Sequence, residues 1–298
     1  MRTLILILIG VAWVQMVYAA DGRSYSEQLS ASATGHVQID DIAGSVTVNG
    51  WDKPEVDIQG ELGATVERVD VTHTADRIVI KVILPENLNH LNHMLDRGAE
   101  AALQVHVPVN STLEVSTVSA PITIDGIHGA SRLHSVSGDV HAGLAGADED
   151  AASVSGNVYV SGNPTVATVR VSTVSGTVFL THGVGDISAH TVSGRLDLAV
   201  DGAKSSDVGS VNGEVDYHGH LMPDAQMNAT TVDGKLTVHV SADAGYMYNI
   251  ATFGGTIYTC FGGQNGSGPL SGQVGANGAG HASVRLRTLR GGVYLCDR

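Results

Sequence analysis

The chain has 298 residues, of which 43% are hydrophobic but only 4% aromatic, and 37 are glycine; that mix suits thin stacked β layers better than one thick globular core. Its formal charge of −14 argues against nucleic acid and against anionic membrane surfaces as partners. Helix periodicity is almost absent, which sets aside helical bundles and coiled coils.

Residues 1–19 start with Arg2 and run through apolar Leu4–Val17 to Val17-Tyr18-Ala19, the pattern of a cleaved secretory signal. Its removal takes the formal charge to −15. No Cys follows the apolar run, so a lipoprotein anchor has no attachment point. The expected mature chain is periplasmic or secreted, without a membrane span.

Residues 20–112 read as an N-terminal β cap. Val37-Gln38-Ile39, Val46-Thr47-Val48, Val56-Asp57-Ile58, Val69-Asp70-Val71 and Ile78-Val79-Ile80 alternate apolar and polar residues between turn signals. Ile42-Ala43-Gly44-Ser45-Val46-Thr47-Val48 is a degenerate copy of a phrase that dominates the rest of the chain, with Asp41 where Ser or Thr stands later. Within the cap, 85–102 breaks the pattern. Leu88, Leu91, Met94 and Leu95 fall on one helical face, which predicts a short amphipathic helix. His90 and His93 on that helix read as a solvated face rather than a metal site, since no Cys, Asp or Glu joins them in register.

From 113 to 298 the phrase Ser/Thr-Val-x-Gly-x-Val-x-Val recurs. Aligned on its first apolar residue the copies fall at Val118, Val136, Val154, Val174, Val192, Val211, Val232, Phe253 and Leu289, in steps of 18, 18, 20, 18, 19, 21, 21 and 36. A fixed period of this size predicts a parallel β-solenoid of about nine rungs. The long last step contains a Gly-rich insertion at 261–280, read as a surface loop. Ser or Thr precedes the aligned residue in all nine copies, which predicts a column of hydroxyls that hydrogen-bond at a corner. Gly follows two residues after it in eight of nine, which predicts a bend with positive φ. One position further on, Arg195, Glu214 and Lys235 form an alternating charge column. Both ends of such a stack are open strand edges, so self-association is allowed, although a short terminal strand and Asp297-Arg298 oppose it.

These residues carry a resemblance. The repeated Ser-Val-Ser-Gly-x-Val-x-Val, the lead-in Leu103-Gln104-Val105-His106-Val107-Pro108 and the cap phrase Gly44-Ser45-Val46-Thr47-Val48-Asn49-Gly50-Trp51 make the chain similar to the bacterial putative-adhesin proteins of unknown function, β-solenoids of the cell envelope. The resemblance implies an envelope protein without established enzymatic activity.

Few residues suggest chemistry. Cys260 and Cys296 each lie seven residues after an aligned position, so they share a column with Cα atoms about 5 Å apart, and a disulfide is expected. Seven residues after Val211 and Val232 stand His218 and His239, giving the expected stack His218, His239, Cys260, Cys296. Four rungs span too far for one tetrahedral ion, so no metal and no cofactor are predicted, with a weak His218/His239 site as the lesser reading. Tyr159, Phe179, Tyr258 and Tyr294 point outward from second strands, either as a protective ring ladder or as a surface for sugars. Asp197 and Asp216 share an outward column at the spacing of a retaining carboxylate pair, but countercharges flank them and no ring site is expected beside them. The resulting expectation is a non-catalytic scaffold or adhesion protein of the envelope whose partner is a protein or glycan. The alternatives are a carbohydrate- or peptidoglycan-binding module, an envelope-stress signalling partner and, less favoured, a polysaccharide-acting enzyme.

Overall fold

A computed structural model describes residues 22–297 apart from 75, 86–96, 145–147, 163–164, 166, 243–244, 262–265, 267 and 276–280. The signal segment 1–19 and the His90/His93 pair therefore lie outside the described residues.

The N-terminal part contains β1 (Arg23–Ser30), β2 (His36–Asp41), β3 (Gly44–Trp51), β4 (Glu55–Leu62), β5 (Arg68–His73), β6 (Arg77–Ile83) and β7 (Ala101–Pro108). The repeats supply β8 (Thr112–Thr117), β9 (Ile122–Ile127), β10 (Ser131–Ser135), β11 (Val140–Leu144), β12 (Glu149–Ser153), β13 (Val158–Ser161) and β14 (Ala167–Thr173). Three long strands follow, β15 (Val178–Thr191), β16 (Leu196–Ser210) and β17 (Val215–Thr231). The chain ends with β18 (Leu236–Ser241), β19 (Tyr246–Thr252), β20 (Ile257–Thr259), β21 (Leu270–Val274), β22 (Ala282–Thr288) and β23 (Val293–Asp297).

The expected fold class is corrected. Instead of a parallel β-solenoid of nine rungs with a helix, the 23 strands among the described residues belong to one sheet of mixed pairing that curls into a nearly closed, barrel-like shape. Antiparallel pairs join β1 to β4, β4 to β7, β5 to β6 and β19 to β21. They lie where the repeat phrase is degenerate or interrupted, so the phrase carries no signal for them. Strands β15, β16 and β17 run on through the position where a separate rung would turn, fusing two strand columns into one sheet. Of the excursion at 85–102, the described part holds a single 3-10 turn, Arg97–Ala99, and the start of β7; the predicted helical face lies outside the described residues.

Copies of the phrase do pair in parallel and in register, as in Leu133 with Val115 and with Ala151. Their order departs from the sequence at the end. β22 pairs with β17 and with β19, and β23 with β18 and with β20. The Leu289 copy is therefore inserted between the Val232 and Phe253 copies.

Alternate strand residues face one continuous apolar interior that runs from Val37 to Leu295 and is built of Val, Ile, Leu and Ala. Tyr217 is a large exception, fully buried with its hydroxyl 3.0 Å from Ser206 Oγ, and burial pushes its phenol up to about 12. Among the described residues two carboxyls are also buried. Glu149 replaces an apolar residue on β12, and burial, then the neighbouring Asp150, pushes it up to about 8. Asp41 occupies the Ser/Thr column and is pushed up to about 7 by burial.

The bends have a different cause from the one expected. Among the eight repeat glycines only Gly291 has a positive φ, 151°. At Gly156, Gly176, Gly194, Gly213 and Gly234 an added Cβ would collide with the carbonyl oxygen of the glycine in the preceding copy. Close backbone approach selects glycine here. The hydroxyl column locks the same bend: Gly176 N donates to Thr173 Oγ1 at 3.1 Å, Gly194 N to Thr191 Oγ1 at 3.0 Å and Gly213 N to Ser210 Oγ at 2.7 Å. The aligned apolar residue itself faces outward, with Val136, Val154, Val174, Val192 and Val211 each 41–46% exposed.

Candidate binding face

The side chain five residues after each aligned position points outward, and the strand register joins these into one row. Thr123 pairs with His141, His141 with Tyr159, Tyr159 with Phe179, Phe179 with Asp197, Asp197 with Asp216 and Asp216 with Thr237. Thr237 then pairs with Tyr294, and Tyr294 with Tyr258. On the other side the row continues from Thr123 through Thr47, Gln104 and Gln59 to Ser26. Thirteen strands contribute one outward residue each. At about 4.8 Å per strand the row is close to 58 Å long.

The middle of the row is a ring stack. His141 lies 4.5 Å from Tyr159 at 7°, and Tyr159 lies 5.1 Å from Phe179 at 3°. Both faces of Tyr159 are thus covered by its neighbours. The stack offers ring edges, plus the outer faces of His141 and Phe179, rather than three separate platforms. Beside it runs an open trough of about 460 Å³ lined by Thr123, Asp125, His141, Tyr159, Phe179 and Thr181.

At the N-terminal end the row enters a second cleft of about 630 Å³, bordered by Tyr25, Ser26, Thr47, Gln59, Glu61 and Gln104. Its lining is mostly hydroxyl and amide, groups that both donate and accept hydrogen bonds. Tyr25 donates to the Glu27 carboxylate, and burial together with that carboxylate raises its phenol.

Beyond Phe179 the row turns ionic. Arg195 bridges Glu214 and Asp216 at 3.3 Å each, Lys235 stands 3.8 Å from Glu214, and His218 Nε2 stands 2.9 Å from Asp216. Asp216 Oδ2 accepts a hydrogen bond from Arg195, whereas the buried Oδ1, although near His218, has no hydrogen-bond partner among the described residues. The expectation that no ring borders the pair is corrected, because Phe179 is the in-register neighbour of Asp197.

Tyr294 and Tyr258 lie in the same row but four and five strands beyond Phe179. They meet at 5.8 Å and 44°, with Lys235 Nζ 4.8 Å from the Tyr294 ring centre. Cys260 and Cys296 form a disulfide with Cα atoms 4.9 Å apart. The expected order of their column is corrected to His218, His239, Cys296, Cys260, since His239 pairs with Cys296. The His218 and His239 rings stack at 4.7 Å and 6°. Among the described residues no three His, Cys, Asp or Glu side chains gather as metal ligands would.

Sequence reasoning singled out the rings and carboxylates but missed Ser26, Gln59, Gln104, Thr47, Thr123 and His141. The signal for Thr123 and His141 was present, as both stand five residues after an aligned position.

No family model matches the chain, and no curated protein matches it. Solved structures do. A putative lipid binding protein from Parabacteroides distasonis superposes with a TM-score of 0.51 at 10% identity, over 94% of this chain and 98% of that one. A putative adhesin from the same organism superposes with a TM-score of 0.50 at 12% identity, over 93% of this chain and 98% of that one. At such identities the likeness is one of fold. Among the described residues no helix is long and apolar enough to cross a membrane.

Proposed function

We propose that this protein is a non-catalytic, adhesion-type binding protein of the bacterial cell envelope, and that its ligand is a glycan chain lying along the outward row. The single observation that carries the reading is the continuity of that row, from the hydroxyl and amide cleft at Ser26, Gln59 and Gln104 into the trough beside His141, Tyr159 and Phe179. A sugar polymer presents hydroxyls and apolar C–H faces in alternation along its length. Neighbouring polar and ring-lined stretches match that alternation. The Arg195 hydrogen bond and the Arg195–Glu214–Lys235 countercharges beside it favour a structural role for Asp216 over a hydrolytic one. The adhesin name of one fold neighbour and the secretory pattern of residues 1–19 are in keeping with the envelope assignment.

The test is capture of envelope material on the immobilised mature chain, with sugars and proteins identified separately. The reading expects an enriched polysaccharide released by competing free sugar. Enrichment of a protein without sugar would overturn the glycan assignment.

A further inference from the structure

The outer face at the C-terminal end departs from the rest of the molecule in charge. It is made by the second half of β17 with β22, β19 and β21, which pair side by side. None of the stretches Gln226–Val232, Leu270–Val274, Tyr246–Phe253 and Ala282–Arg290 contains Asp or Glu, in a chain with 30 acidic residues. Arg285 and Arg287 project from β22, two residues apart, and make no ion pair among the described residues. The nearest carboxylates in sequence and register are Asp207 on β16, Asp224 at the start of this half of β17, Asp233, which Arg290 holds at 2.6 Å, Asp297 at the end of β23 beside Tyr246, and, in sequence, Asp243 three residues before β19.

The same face carries the most exposed large apolar side chains of the described residues. Phe253 is 87% exposed, Met247 53% and Leu289 47%. Phe253 and Leu289 end the outward column of valines at adjacent bends, with Gly254 N donating to Leu289 O at 2.9 Å. Residues between them and the arginines are Asn249, Ala251, Thr230, Ser283 and Gln273, all uncharged.

We propose that this face docks on an anionic lipid surface, with Arg285 and Arg287 against headgroup phosphates and Phe253, Leu289 and Met247 entering the headgroup boundary. Protruding apolar residues that need no complementary pocket, flanked by arginine, suit a lipid interface. The mature chain's net charge of −15 does not forbid it. Screening over roughly 8 Å at physiological salt leaves the local field of this carboxylate-free face to act at contact distance. The docking face is distinct from the glycan row, with which it shares only β17: the row takes Asp216 from the first half of that strand and the face takes Gln226–Thr231 from the second.

The experiment is co-sedimentation of the mature chain with vesicles of phosphatidylcholine alone or mixed with phosphatidylglycerol. Binding is expected only to the mixed vesicles, and high salt should weaken it. Arg285→Gln with Arg287→Gln should lower the partition coefficient roughly 30-fold. Phe253→Ser should lower it separately, with unchanged circular dichroism and melting in both variants as the control. Equal binding by the wild type and the double variant, or none to mixed vesicles, overturns the proposal. So does a salt-sensitive self-association of the free protein, seen in sedimentation velocity and abolished by the same arginine changes, because the face would then serve a second copy.

Discussion

Gly194 approaches Gly176 so closely that a methyl group on Gly194 would occupy the space of the Gly176 carbonyl oxygen. Both glycines sit at bends between strands, but backbone hydrogen bonds on either side, Ser193 N to Val174 O at 2.8 Å and Val178 N to Arg195 O at 2.9 Å, tie the two copies together, so neither can retreat without breaking them. Gly194→Ala is therefore expected to destabilise by about 3 kcal/mol or more, from overpacking and lost strand pairing. Gly266→Ala, at a position with nothing within 4 Å, is the control and should be near neutral. Urea unfolding of the two variants checks the contrast.

The bend hydroxyls carry a smaller share. Thr191 Oγ1 is buried and accepts from Gly194 N at 3.0 Å. Thr191→Val keeps the shape but leaves that N–H without its acceptor, at an expected cost of about 1–2 kcal/mol. Thr191→Ser retains the acceptor and should cost well under that. A ranking of Ser and Val the other way round would mean that methyl packing, not the hydrogen bond, selects threonine.

The disulfide closes a loop with a sequence separation of 36 between Cys260 and Cys296, and it fastens the strands that end the sheet. Loop-closure entropy for that length gives an upper estimate of about 4 kcal/mol. Thermal melting with and without reductant should show a lower midpoint on reduction, with Cys260→Ser/Cys296→Ser matching the reduced wild type.

Stability should fall as pH rises. Glu149 in the folded protein keeps its proton up to about pH 8, against 4.5 for an ordinary Glu, because burial, then Asp150, disfavours its charge. Between those values the folded state binds more protons than the unfolded state, so stability declines across that window and levels off above it. Asp41, pushed by burial from 3.8 to about 7, adds a decline of the same sign. Glu149→Gln should flatten the slope and raise the urea-derived unfolding free energy at pH 8 relative to wild type, by on the order of 2–4 kcal/mol. An unchanged slope would show that Glu149 is not the group responsible.

The spacing of the phrase made much of the local order legible. Val118 through Val232 fix which strands pair and in what register, and the shared +7 position brings Cys260 and Cys296 together. Two things were not legible. The insertion of the Leu289 copy between the Val232 and Phe253 copies follows from pairing choices that near-identical phrases cannot encode. The mixed pairing includes antiparallel partners such as β1 with β4, whose alternation is compatible with either direction. The proximity of Phe179 to Asp197 was within reach, since both stand five residues after an aligned valine. What hid it was treating rings and carboxylates as separate columns.

The central claim, a glycan held along the row, is tested most directly by calorimetric titration of the captured polysaccharide into three proteins. These are the wild type, Tyr159→Ala/Phe179→Ala, and Thr181→Arg, which fills the trough without touching the ring stack's composition. Saturable binding by the wild type, a loss of at least about tenfold in both variants with melting unchanged, and an intact polysaccharide afterwards is the expected result. Undiminished binding by both variants would place the ligand elsewhere, and a shortened polysaccharide whose cleavage stops in Asp197→Asn would make the protein an enzyme.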